Sequence, residues 1–153
     1  MKNSILKKTI VSDIDGVIYD FYQSYIDKVN LQKGTRFLVD NWTKGDGREF
    51  FDSDKEWNDF WYNVFHDEVF YRNLRLYSSE IPKLITELRK KHRFEFATAR
   101  SCSDIEPKCD IQRFTIETLL KDNVSFDGIY FLYDKNTALK NASYFVEDSF
   151  KNA

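Results

Sequence analysis

The chain has 153 residues, enough for one domain that hides roughly 70% of the surface its unfolded form exposes. Hydrophobic residues make up 42% and charged residues 31%, which excludes a disordered tail and a membrane protein. The net charge is −2 with acids and bases interspersed, which argues against a protein that grips duplex DNA by its phosphates. No apolar run approaches the ~18 residues of a membrane helix, and the N-terminus lacks the apolar stretch of a secretion signal. Cys102 and Cys109 make neither a disulfide framework nor a zinc site; both read as ordinary thiols in or near the helix after Thr98. The expected location is cytoplasmic. Aromatic residues reach 17%, so either Phe and Tyr stand in for Leu in the core or an aromatic-lined site takes a flat ligand.

Residues 9–13 are a short β-branched run that reads as a buried strand ending in acids. The next stretch, 21–76, reads as two helical pieces around a polar middle broken by Gly34, Gly45 and Gly47. Its second helix opens on a capping-box pattern, Ser53 to Glu56, and carries Trp57, Phe60, Trp61, Val64 and Phe65 on one stripe. Beyond it helix and strand alternate. Ile81, Leu84, Ile85 and Leu88 form a helical stripe with Pro82 in its first turn. A strand at 93–98 follows, then a helix face of Ile111, Phe114, Thr118 and Leu119. A strand at 128–133, a short helix from Lys135 and a strand at 144–148 complete the series. This order predicts an α/β fold with a parallel sheet and helices on both faces. The core is 1–20 with 77–153, and 21–76 is a helical cap, or lid, inserted after the first strand.

Parallel α/β sheets bind ligands at the carboxyl ends of their strands. Here the first strand ends in Asp13-Ile14-Asp15-Gly16, the second in Thr98-Ala99-Arg100 and the fourth in Glu147-Asp148. Asp134 and Lys135 follow the third. Acids, a hydroxyl and cations around one crest repel or lie unsatisfied unless something joins them. A divalent cation with a phosphate does so, since Mg²⁺ takes carboxylates together with phosphate oxygens. Asp52 and Asp54 share the spacing of Asp13 and Asp15 but follow no strand, and read as a helix start. Lys140 competes with Lys135 for the phosphate. His66 and His92 stand alone and are assigned no chemistry.

This succession of motifs resembles the haloacid dehalogenase (HAD) superfamily of phosphohydrolases. Within it, the run from Asp13 to Phe21 resembles the opening of the 5'(3')-deoxyribonucleotidases, the class C 5'-nucleotidases. So do Val69 to Leu74, and Asp134-Lys135 ahead of Glu147-Asp148; residues 28–60 are only loosely similar. The resemblance implies a Rossmann-like core whose parallel strands are ordered 4-1-2-3. It makes Asp13 the nucleophile and Asp15 the general acid and base, with Thr98, Ala99, Arg100 and Lys135 holding the phosphate. Mg²⁺ is implied as cofactor, bound by Asp13, the backbone carbonyl of Asp15, and Asp148. Glu147, where an Asp is more usual, supports that ion from outside its ligand set. Arg100 either adds a bidentate contact to the phosphate or pairs with an acid.

An aromatic at Phe21 is implied to stack on the base, with Phe70 and Tyr71 as further substrate contacts. Trp57, Phe60 and Trp61 are either more of that wall or the lid's own core. The implied activity is a Mg²⁺-dependent phosphatase for a nucleoside monophosphate, a deoxynucleotide by preference. The alternatives are a nucleic-acid 3'-phosphatase, another small-molecule phosphatase of the superfamily, and a non-catalytic nucleotide-binding protein. The chain stops at Ala153, where the family usually adds a helix and a strand. The last strand is therefore expected at a sheet edge, left bare or covered by a second copy in a homodimer.

Overall fold

Four apolar segments pair into one parallel sheet. β1 (Thr9–Ser12) lies at its centre, with β2 (Arg93–Thr98) on one side and β4 (Tyr144–Val146) on the other. β3 (Gly128–Phe131) extends the sheet beyond β2, giving the order β3-β2-β1-β4. This is the expected 4-1-2-3 arrangement. The computed structural model describes residues 7–43, 46–100 and 110–148, so the expectations for Gly45, Cys102 and Cys109 lie outside the described residues.

Between β1 and β2 the chain forms α1 (Phe21–Lys33), two short 3₁₀ turns, α2 (Asp54–Phe65), α3 (Glu68–Arg72) and α4 (Ile81–Arg89). Then come α5 (Ile111–Lys121) between β2 and β3, and α6 (Asn136–Leu139) between β3 and β4. Their starts are written in the sequence. Asp20, Ser53, Asp67 and Asp110 each accept a backbone N–H from the first turn of the helix that follows. Gly34 ends α1 in the left-handed region at φ +66, where a residue without Cβ is favoured. The expected capping box is skewed: Ser53 Oγ accepts from Glu56 N, but the Glu56 carboxylate reaches the N–H of Asp52 instead of that of Ser53. The short helix α3 carried too few residues for its periodicity to be read.

Strand alternation divides the core. Ile10, Phe94 and Phe96 face one side of the sheet, in the larger cluster; Val11 and Ala97 face the other, against Ala138 of α6. The larger cluster runs without a break into the inserted helices, through Tyr25, Ile26 and Val29, Phe60 and Val64, and Phe70 and Tyr71. The α5 stripe is buried as expected, from Ile111 and Phe114 to Thr118 and Leu119. The α4 stripe is narrower than its periodicity implies. Ile85 is buried, with Ile81 and Leu88 packed beside it, whereas Leu84 faces solvent at 57% exposure. Among the described residues, no helix is long and apolar enough to cross a membrane.

Candidate active site

Strand register builds the site. Ser12 lies level with Phe96 of β2 and with Val146 of β4, so the residues that follow come out at one crest. The Asp13 N–H donates to the Val146 carbonyl at 2.9 Å, which sets Asp13 beside Glu147. Gly16, at φ +79, then turns the chain away. A Cβ there would fall 2.1 Å from Asp148 Oδ2, so this glycine makes room for the second acid of the β4 loop.

Lys135, just before α6, joins two of the acids. Its Nζ is 2.8 Å from Asp13 Oδ2 and 2.9 Å from Glu147 Oε2, and all three side chains are nearly buried. Glu147 uses its other oxygen to accept the Asp148 N–H at 3.0 Å. The Tyr22 hydroxyl donates to Asp148 Oδ2. Lys140 is exposed at the end of α6, while Lys135 is the lysine in the cluster.

Carboxylate oxygens of Asp13, Glu147 and Asp148 lie within 4.8 Å of one another. Three carboxylates and one ammonium leave two negative charges unless protons or a cation intervene. Burial pushes the Asp13 carboxyl up to about 8, with Lys135 pulling it down and Glu147 pushing it further up. Burial and Glu147 likewise raise Asp148, to about 6. Burial also acts to raise Glu147, but hydrogen bonds with Asp148 and Lys135 bring it down to about 2. A set of hard oxygen donors with surplus negative charge fits Mg²⁺. Asp13, Glu147 and Asp148 are the side chains that could hold such an ion, and of the three only Asp148 has no contact with Lys135.

These shifts set a pH dependence for the metal-free protein. Asp13 keeps its proton up to about 8 in the folded chain but loses it near 3.8 when unfolded. Between those values the folded state holds the extra proton, so stability is fully present below the unfolded value and is lost as pH rises through the folded one. Asp148 acts in the same direction below about 6. Glu147 has the opposite sign, but its contribution is already complete above pH 5. In EDTA the melting midpoint is therefore expected to fall by about 3 °C or more from pH 5 to 8, and to fall much less with Mg²⁺ present. Thermal melts across that range check it; a midpoint in EDTA that climbs with pH contradicts the assignment.

Asp15 meets a different partner. Arg100 Nε lies 2.9 Å from its Oδ2 and Nη2 lies 2.6 Å from its Oδ1, a two-pronged ion pair. Arg100 Nη1 also donates to Thr115 Oγ1 at 3.2 Å, and the guanidinium sits 4.6 Å over the Tyr71 ring. Of the two roles left open for Arg100, the structure displays the pairing with an acid. The Thr98 hydroxyl oxygen accepts the Arg100 N–H at 3.2 Å, and Thr98 and Ala99 both border the cavity.

That cavity, about 470 Å³, opens above the acids. The segment between β1 and β2 lines it too, through Phe21, Tyr22, Trp42, Trp57 and Trp61. All three tryptophans of the sequence thus border it. The α2 stripe is split: Trp57, Trp61 and Phe65 border the cavity, and Phe60 and Val64 are buried in the core. Tyr71 borders the cavity as expected, but Phe70 does not. The Phe70 ring is buried and packs edge-on to Phe21 at 5.7 Å. Sequence reasoning missed Tyr22, Trp42, Asp46 and Tyr133. Tyr133 stands 84% exposed, two residues before Lys135, next to a motif that did point here.

No family model matches the chain, and no curated protein matches it. Solved structures match it in fold. It resembles a HAD-superfamily hydrolase, subfamily IA, variant 1, from Geobacter sulfurreducens PCA, with 13% identity and a TM-score of 0.55. That alignment covers 95% of this chain and 80% of the other. It also resembles a hydrolase from Streptococcus pneumoniae TIGR4, with 12% identity and a TM-score of 0.51, over 81% of this chain and 66% of that one. The chain thus spans just under two thirds of the second protein's length. At such identities the likeness is one of fold: this chain shares with those proteins an α/β architecture, here a four-stranded parallel sheet with helices.

Proposed function

We propose that this protein is a Mg²⁺-dependent phosphatase of nucleoside monophosphates, working through an aspartyl-phosphate on Asp13. The observation that carries the reading is that one cavity is lined by two unlike groups of side chains. One group holds Asp13, Lys135 and Asp148, and the other is a bank of aromatic rings. A phosphate ester of a flat, apolar group matches both, and about 470 Å³ lies within the usual range of roughly 300–1,000 Å³ for a small-molecule site.

Asp13 attacks phosphorus, the bond to the ester oxygen breaks, and the leaving oxygen takes a proton from Asp15. Water then attacks the aspartyl-phosphate, Asp15 accepts its proton, and inorganic phosphate leaves with the Asp13 carboxylate restored. Asp15 is ion-paired with Arg100 in the resting site, so to act as the acid it must free an oxygen from that pair and take up a proton from solvent. Lys135 and Thr98 both line the cavity and are the groups that would hold the phosphoryl oxygens, with Lys135 offsetting charge that would repel an anionic nucleophile from an anionic ester. Mg²⁺, held by Asp13 and Asp148, supplies further charge stabilisation at the transferring group. Barriers of this kind can demand accelerations of up to ~10²¹-fold, so several such contributions must combine.

The direct test is phosphate release from a panel of nucleoside monophosphates, with and without Mg²⁺. Turnover of p-nitrophenyl phosphate but of no nucleotide would remove the substrate class and keep the chemistry. Phe21 gives the finer test. Its ring packs edge-on against Trp61 and Phe70 at 5.8 and 5.7 Å, and it still borders the cavity. Stacking on a base contributes about 1–3 kcal/mol, so Phe21→Ala is expected to lower kcat/KM for nucleotides by about 5- to 150-fold. A small aryl phosphate should lose much less. Equal losses on both substrates make Phe21 a packing residue only.

A further inference from the structure

Asp148 differs from the other two acids in how it is held. Asp13 and Glu147 share the Lys135 ammonium, whereas no Lys or Arg among the described residues pairs with Asp148. Its carboxylate is threaded between Gly16 and Tyr22. The absent Cβ of Gly16 leaves space on one side, and on the other the Tyr22 hydroxyl donates to Oδ2. Tyr22 is the second residue of α1 and belongs to the inserted segment, 126 positions away in sequence. The same ring stands edge-on to Trp42 at 4.8 Å and 89°, and to Phe21 at 6.4 Å. One side chain therefore touches both the aromatic wall and the acidic cluster.

We propose that Tyr22 is the positioning residue for Asp148 as a metal ligand, so that the cation affinity of the cluster depends on the aromatic wall. The inference rests on the reading of Asp13 and Asp148 as the residues that hold Mg²⁺. A carboxylate with no cationic partner samples several rotamers, and each sampled rotamer that faces away weakens the site. The phenol occupies one oxygen and so fixes the direction in which the other points. Loss of an orienting partner of this kind typically weakens metal binding by about 10- to 100-fold. Because Trp42 and Phe21 set the Tyr22 ring, a ligand packed against that wall and a cation in the cluster influence each other's affinity equally.

The test is calorimetric titration of the full chain with MgCl₂ and, as a tighter-binding probe, MnCl₂, alongside the thermal midpoint of the metal-free protein. Tyr22→Phe keeps the ring and its contacts, so the metal-free midpoint should stay within about 2 °C of wild type. The dissociation constant for the cation should rise about 10- to 100-fold. In an Asp148→Asn background, Tyr22→Phe should change the affinity by less than about twofold, because the group it orients is gone. Unchanged affinity in Tyr22→Phe overturns the proposal. So does the same tenfold loss in the Asp148→Asn background. Wild-type protein that binds neither cation overturns the metal reading itself, and the proposal with it.

Discussion

Asp13→Asn is expected to abolish phosphate release, lowering kcat by at least about 10⁴-fold, while the protein stays folded. The substitution is nearly isosteric; it gives up the acceptor facing Lys135 Nζ but keeps its contacts to the backbone. Asp13 Oδ1 accepts the Ile14 N–H at 2.8 Å, which an amide oxygen also accepts, and the backbone bond to Val146 is untouched. What disappears is the anion that attacks phosphorus. The substitution also removes a carboxylate that burial disfavours, so metal-free Asp13→Asn should melt no lower than wild type at pH 8. The two readouts separate chemistry from folding. A purified variant that keeps a tenth of wild-type turnover rules Asp13 out as nucleophile, and one that is inactive because it is unfolded shows itself in the melt.

The parts of the site legible in the sequence are those fixed by strand ends. An apolar β-branched run that stops at Asp13, a strand that stops at Thr98 and another followed by Glu147 can only meet at one crest once the strands are parallel neighbours. Lys135 was harder to place, since nothing local separates it from Lys140; its position at the start of α6 decides it. Contacts between distant segments left no local signal. Arg100 grips Asp15 from 85 positions away, and its own neighbours Thr98 and Ala99 suggested a phosphate instead. Tyr22 follows Phe21 in a helix of unremarkable periodicity, and its hydroxyl bond to Asp148 depends on how α1 docks.

The α2 stripe shows a second limit. Periodicity tells that Trp57, Phe60, Trp61 and Val64 share a side of the helix, but a core and an aromatic cavity are both apolar, so the same pattern serves either. Only the tertiary structure separates the buried part of the stripe, Phe60 and Val64, from the part that borders the cavity. Phe70 fails for the same reason in reverse. Its position near the return to the sheet is right for a substrate contact, and its ring is spent on Phe21 and Tyr71.

Lys135→Met is expected to lower kcat/KM by about 10³-fold and to destabilise the protein in a pH-dependent way. The Lys135 ammonium lies between Asp13 and Glu147, at 2.8 and 2.9 Å, with only 9% of its side chain exposed. Met preserves the length and the packing of the stem on Ala138's side of the sheet but leaves two buried carboxylates facing each other. Breaking a buried ion pair by removing one partner typically costs about 3–5 kcal/mol. Here part of that cost is avoidable, because Asp13 already tends to keep its proton and a neutral Asp13 no longer repels Glu147. The loss should therefore be small near pH 5 and grow toward pH 8, where holding that proton becomes unfavourable. On the activity side, the phosphoryl oxygens lose a fixed positive charge in a site that excludes much of the water, an effect typically of about 10²–10³-fold for one donor. Lys140→Met, at the exposed end of α6, is the control and should stay within about twofold of wild type. If Lys140→Met were the inactive variant and Lys135→Met retained full turnover, the cation serving the phosphate would have been assigned to the wrong end of α6.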